Sequence, residues 1–204
     1  MPRIRAATID EHKELTRRQI LAAAGELFRT EGYGETTLGD IAATMGIGRT
    51  TLYEYFSDKE DVLVNLIEET IPGVVAGMLK GLPTDISTRD RLSELIVRGL
   101  EFVSSDSTLG STLMRELPSL SRPAQRRVRT AHAELEAEVT RLCRLGIGRG
   151  EFRQFDPEDA GRLVYQMMMS ASQGLLRDAD AKQRLHHVAD TLVRFVFEGL
   201  AASP

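Results

Sequence analysis

Gly46 constrains this chain more than any other residue. It lies inside Thr36 to Lys59, TTLGDIAATMGIGRTTLYEYFSDK, between two short apolar-periodic segments that leave room only for a tight corner. The first segment opens on a capping hydroxyl, Thr36 or Thr37. Asp40 follows in the first turn, where a carboxylate suits the unpaired N–H groups and the helix dipole. The helix runs to about Met45, and Gly46 then takes the left-handed conformation that only glycine adopts without steric cost, with Ile47 as an apolar plug. A second helix starts near Gly48 or Arg49. Ile41, Met45, Ile47, Leu52 and Tyr55 are spaced to face one another, and Ala42 is small where the two helices cross. Arg49, Thr50, Thr51, Tyr53 and Glu54 are left facing outward.

Those outward residues suit DNA. Arginine donates two parallel hydrogen bonds to guanine, threonine bonds a base edge or packs on a thymine methyl, and tyrosine reaches phosphate. Any two-helix corner built on glycine shares the bare pattern, so the flanks matter. Gly32-Tyr33, Thr36-Thr37, Asp40-Ile41-Ala42, Met45-Gly46-Ile47 and Thr51-Leu52-Tyr53-Glu54-Tyr55-Phe56-Ser57-Asp58-Lys59-Glu60 together resemble the DNA-binding domain of the TetR family over about residues 16 to 66. Two positions depart from the family pattern: Gly48 stands where a side-chain cap is usual, and Thr50 where Gly, Ala or Pro is frequent. The DNA-facing set is Thr37, Arg49, Thr50, Thr51, Tyr53, Tyr55 and Lys59. The resemblance implies that Lys59, in the first turn of the next helix, contacts phosphate.

Around this segment the chain reads as all-α, about nine helices with no convincing strand. A first helix spans about Thr16 to Thr30, with a capping box at Thr16 and Gln19 and Gly32 closing its end. Its stripe Ile20, Ala24, Leu27 and Phe28 can roof the helix-turn-helix. A fourth helix starts at Ser57, capped with Glu60. Pro72-Gly73 should end or kink it near Thr70, because proline lacks the helical N–H and clashes with the preceding turn. The domains are therefore a basic arm over 1–15, the helix-turn-helix domain with its fourth helix over 16–71, and a helical bundle over 72–204. In the bundle, helices are expected over 88 to 105, about Ser107 to Leu117, about Ala124 to Leu145, from Pro157 behind an Asp156 cap, and about Ala181 to Leu200. Gly146, Gly148 and Gly150 read as a helix stop, and RPAQRRVR as a solvated helix face or a second basic patch.

Charge excludes a broad electrostatic grip on nucleic acid. The net charge is −4, and all of it falls in residues 1–80, with nine Lys and Arg against thirteen Asp and Glu. Only the first 18 residues are locally basic, through Arg3, Arg5, Lys13, Arg17 and Arg18. They form either a DNA arm or a solubilising tail. A single cysteine, Cys143, excludes an internal disulfide and suits a reducing cytoplasm. No apolar run reads as long enough to span a bilayer, so no membrane partner is expected. Catalytic motifs are missing. His186 and His187 diverge on a helix, and Cys143 with His132 reads as core rather than nucleophile, so neither enzyme activity, metal nor cofactor is expected.

The TetR resemblance implies a homodimer joined through the last two long helices, with small residues such as Ala171, Ser172 and Gly174 suiting close approach. It also implies a bundle that encloses a small-molecule effector. Phe102, Met114, Tyr165, Met168 and Met169 are the candidate lining, since methionines adapt to irregular apolar ligands. The expected function is a ligand-responsive regulator, a repressor on palindromic double-stranded operator DNA. A DNA-binding dimer without an effector, or a helical small-molecule-binding protein, are the alternatives.

Overall fold

A computed structural model describes residues 6–104, 109–177 and 180–200. Ten α-helices follow in order: α1 (Ala6–Thr30), α2 (Leu38–Met45), α3 (Arg49–Tyr53), α4 (Lys59–Lys80), α5 (Thr88–Ser104), α6 (Leu109–Glu116), α7 (Arg122–Ala131), α8 (Ala133–Gly148), α9 (Pro157–Arg177) and α10 (Ala181–Leu200), with a 3-10 turn over Leu117–Ser119. The described residues contain no strand, as expected of an all-α chain.

The helix-turn-helix half is a small core of its own. Ile20, Ala24 and Phe28 of α1 close over Ile41, Ala42, Leu52 and Phe56, all at most 3% exposed. Burying each large apolar side chain contributes about 1.5–3 kcal/mol. In the other half, α8 and α9 pack most extensively, with α5 and α10 against α9. Their backbones meet at Gly161, where a Cβ would run into the main chain of Thr140. Gly174 of α9 has open space where a side chain would point.

Four boundaries differ from the sequence reading. Helix α1 starts at Ala6, ten residues before Thr16, and the Thr16 hydroxyl donates to the His12 carbonyl at 2.9 Å in mid-helix instead of capping. Arg3 and Arg5 lie outside the described residues, as does the expected start of α6 at Ser107. Asp58, not Ser57, caps α4: the Asp61 N–H donates to Asp58 Oδ1 at 2.7 Å, and Glu60 is free to reach elsewhere. Helix α4 also continues through Pro72 to Lys80. Pro72 and Gly73 fall on its exposed side, where water can reach the freed carbonyl, while Ile71 and Val75 anchor the buried side. Unbroken, α4 is long and apolar enough in composition to cross a membrane, but its apolar face is packed inside the protein.

The fourth difference is that the long helix expected over 124 to 145 is two helices, α7 and α8, parted at His132, and α8 runs through Gly146 to Gly148. This break is why the described residues form ten helices rather than about nine. Gly146 packs under Phe152, and the turn that ends the segment is at Gly150, with φ 72°.

Candidate nucleic-acid interface

Helix α2 is capped at Thr37. The Thr37 hydroxyl accepts from the Asp40 N–H at 3.2 Å and donates to Asp40 Oδ2 at 2.6 Å, while the Thr37 N–H donates back to that oxygen at 2.9 Å. These bonds, led by the one from the Thr37 side chain, hold the Asp40 carboxyl below the usual carboxylate range. Gly46 has φ 65°, in the left-handed region, and the Ile47 N–H donates to the Ala42 carbonyl at 3.0 Å. The corner thus satisfies its own backbone.

Helix α3 follows behind Gly48, which makes no side-chain cap bond. Leu52 is fully buried and fixes the roll of the helix, so Tyr53 is 57% exposed and Arg49 and Thr50 face outward. Thr51 is half-buried. Arg49 lies along Gly39 at the start of α2, so closely that a side chain at 39 would collide with its guanidinium. Tyr55 is half-buried beside Asp10, Lys13, Glu14 and Arg17 of α1, lining a polar groove of about 290 Å³.

Lys59 is placed differently from the rest. Its ammonium donates to the carbonyls of Tyr33 at 2.6 Å, Thr36 at 2.8 Å and Gly34 at 3.1 Å, and lies 4.5 Å from the centroid of the Tyr33 ring. All three of its protons are therefore used in tying the start of α4 to the loop before α2. Burial, and then the charges of Glu116, Glu60 and Asp58, push the Tyr33 phenol up to about 12.

Three polar ties between distant segments escaped the sequence reading. Arg17 of α1 bonds Asn65 Oδ1 at 2.6 Å and pairs with Glu69, both on α4. From the bundle, Arg127 of α7 grips Glu68 through Nε at 2.9 Å and Nη2 at 2.6 Å, and reaches Asp61 at 3.1 Å. At the head of α7, the Ser121 N–H and hydroxyl donate to the two oxygens of Glu60 at 2.8 and 2.6 Å. The only signal for this in the sequence is an acidic α4 and the basic RRVR run, which cannot be paired without knowing that the two helices lie side by side. Arg122, Arg126 and Arg129 do face solvent.

The bundle encloses a cavity of about 30 Å³ between α4, α5, α6, α8 and α9, with Met78, Phe102, Val103, Met114, Leu135 and Met169 in its wall. That is room for a water-sized body. Of the candidate lining residues, Phe102, Met114 and Met169 are brought together there. Met168 is turned toward Gly99, and Tyr165 is buried outside the wall, its phenol pushed up to about 12 by desolvation. Cys143 is fully buried and its thiol is pushed up to about 11, an inert core residue.

A glycine-cornered helix pair with an exposed second helix, carried on a helical bundle, defines a helix-turn-helix transcriptional regulator. Residues 20–66 match the family described as bacterial regulatory proteins, tetR family, and residues 85–173 match the tetracyclin repressor-like C-terminal domain. The chain belongs to the TetR family. Among its relatives, the HTH-type transcriptional activator FasR of Mycolicibacterium smegmatis is 30% identical over 91 residues, 45% of this chain and 42% of that protein. The fatty acid metabolism regulator protein of Bacillus subtilis is 27% identical over 99 residues, 48% and 51% of the two chains. The chain thus spans about half the length of these relatives. The crystal structure of FadR from Bacillus subtilis in complex with stearoyl-CoA shares the fold, with a TM-score of 0.73 at 20% identity over 89% of this chain and 98% of that one.

Proposed function

We propose that the protein binds a palindromic operator in double-stranded DNA as a cytoplasmic homodimer, acts as a repressor, and is released by a small, mostly apolar effector. One observation supports the DNA reading: Arg49, Thr50 and Tyr53 stand exposed on the second helix of the corner, whereas Thr37 and Lys59 are bonded within the domain. Thr37, Thr51 and Tyr55 border that face, and the two half-sites should lie about one DNA turn apart or a multiple of it. For Lys59 we propose a positioning role, holding the α4 start against the helix-turn-helix.

The dimer face is proposed on α9 and α10, where Leu163 is 61% and Phe195 68% exposed, beside a groove of about 300 Å³ that also includes Phe155. Such a surface is unusual on a monomer. Leu192, at 9% exposure, supports the bundle itself and is a poor place to probe the dimer.

The switch runs through α4. Its amino end holds the DNA-binding domain, its carboxyl half contributes Ile71, Val75 and Met78 to the cavity wall, and α7 is tied to its middle by Arg127. A ligand that swells the cavity would shift α4, and a coupling of about 1–3 kcal/mol would weaken operator binding several-fold to about a hundredfold. The stearoyl-CoA bound by FadR fits the notion of an apolar effector, and that class is all we carry over. The small volume of the cavity instead favours a dimer without an effector.

Sedimentation and gel shift of Leu163→Glu with Phe195→Glu test the assembly. We expect monomers that fail to shift a palindromic operator, and a monomer with wild-type affinity overturns the reading. A thermal-shift screen separates the effector reading from its rival, because a true ligand stabilises the fold by mass action.

A further inference from the structure

Arg122, Arg126 and Arg129 of α7 form a stripe from which the fold gains nothing. At steps of four and three residues they share one face of the helix, all three are exposed, and none makes an ion pair among the described residues. Like charges so spaced repel one another, and Arg122 stands in the first turn, where the helix dipole disfavours a cation and no acid offsets it. Other exposed arginines of the bundle are spent on carboxylates: Arg144 on Glu158, Arg162 on Asp159 and Arg194 on Glu198. The acids of α4 that meet α7 are taken as well, Glu60 by Ser121, and Asp61 and Glu68 by Arg127. The stripe therefore keeps its full charge for something outside the chain.

Its place points to the partner. Ser121, at the head of α7, bonds Glu60 in the first turn of α4, and beside Glu60 the Lys59 ammonium is tied to the loop before α2. Arg127 reaches on along α4 to Glu68, so α7 runs away from the helix-turn-helix, with Arg122 nearest to it and Arg126 and Arg129 about 6 and 10 Å further back. The helix-turn-helix domain itself has few cations to offer a duplex. Arg17, Arg18 and Arg29 are paired with Glu69, Glu14 and Glu26, and Lys59 is turned onto carbonyls. Lys13 and Arg49 remain without an ion pair among the described residues. At a net charge of −4 the chain presents DNA with no broad positive field, so its phosphate contacts have to be placed ones.

We propose that Arg122, Arg126 and Arg129 bind the phosphates of duplex DNA just outside each operator half-site, with Arg122 making the closest contact. The proposal rests on the DNA-binding reading given above and extends the interface from the helix-turn-helix onto the bundle. A guanidinium fork pairs with phosphate oxygens and reads no sequence, so the stripe adds affinity and salt dependence but no base preference.

A site selected by the wild-type protein from a random duplex pool is trimmed to its two half-sites and spacer, or extended by about ten base pairs, one helical turn, on each side. Both duplexes are titrated by fluorescence anisotropy with the wild type and with the triple variant Arg122→Gln, Arg126→Gln, Arg129→Gln, in which glutamine keeps the helix propensity. The wild type should bind the extended duplex about tenfold more tightly at about 50 mM salt and lose most of that gain at about 200 mM, the behaviour of at least one added phosphate contact per protomer. The variant should bind the trimmed site like the wild type, lose most of the gain from the flanks and melt at no lower temperature. Arg122→Gln alone should lose more of the gain than Arg129→Gln alone, and these single variants serve if the triple variant does not fold. A gain from the flanks that is equal in wild type and variant overturns the proposal and leaves the helix-turn-helix reading standing. If the variant keeps that gain but no longer sediments with phosphatidylserine vesicles that carry down the wild type, the stripe belongs to a membrane surface and the DNA assignment falls. Failure of the wild type to select any site overturns the DNA-binding reading itself.

Discussion

The corners at Gly46 and His132 each join one helix to the next within three residues, and they are built on different principles. At Gly46 the backbone itself turns: φ is 65°, a value that other residues reach only at a cost, and the bonds that close the corner come from the adjacent backbone. At His132 the backbone is ordinary, with φ −95° and ψ 3°, and any residue could adopt it. What holds that corner is an imidazole bonded to the Val128 carbonyl, between the buried Val128 and Leu135 of the two helices. The first corner is a property of its residue, the second of its surroundings. The first kind holds the corner whatever packs around it, while the second ties the corner to the packing of the bundle.

The largest expected effect breaks the first corner. Gly46→Val places a β-branched residue in the left-handed region at a cost of about 1–2 kcal/mol or more, and should abolish operator shift while lowering the melting temperature. Lys59→Met comes next. It leaves up to three carbonyls without their donor, at about 1–3 kcal/mol for a buried unpaired group, so the melting temperature should fall. If Lys59 only positions α4, the salt dependence of operator binding by the folded fraction should keep its slope; loss of about one unit of slope would restore a phosphate contact.

Arg49→Ala sharpens the contrast in the other direction. It should cost about 1–3 kcal/mol on the cognate operator and relax specificity at one base pair per half-site, with no change in melting temperature. Parallel gel shifts on operator variants measure it, and unchanged specificity removes Arg49 from base reading.

On the bundle side, Glu68→Gln loosens the grip of Arg127 on α4. Both partners are more than a third exposed, so the stability change should stay below about 1 kcal/mol, while effector-induced release of operator should change several-fold. Release equal to that of the wild type would show that α4 is moved from the cavity wall alone.

The smallest effect is a slope. Burial holds the His132 imidazole below its ordinary value of 6.5, partly offset by its bond to the Val128 carbonyl. The unfolded chain therefore takes up a proton that the folded chain refuses. Stability from this group is complete above about pH 6.5 and declines as the pH falls toward the folded value. His132→Leu should flatten that part of the melting-temperature profile, whatever it does to the absolute stability.

The sequence by itself determined the elements whose causes are local. The Thr37 and Asp40 cap, the left-handed Gly46, the bare Gly48, the buried Leu52 with exposed Tyr53, and the Asp156 start of α9 each follow from residues within one or two turns, and each is found where the pattern put it. Tertiary structure decided the rest. Pro72 stays inside a helix because Ile71 and Val75 are packed on its far side. His132 divides a helix that its periodicity would have continued. Lys59 turns inward to carbonyls more than twenty residues away, and Arg127 finds its carboxylates on a helix about sixty residues earlier. The physical reason is common to all four. Helix caps and glycine turns are settled by neighbours along the chain, whereas a proline's tolerance, a helix break or a long side chain's partner depends on which surfaces the folded chain brings together.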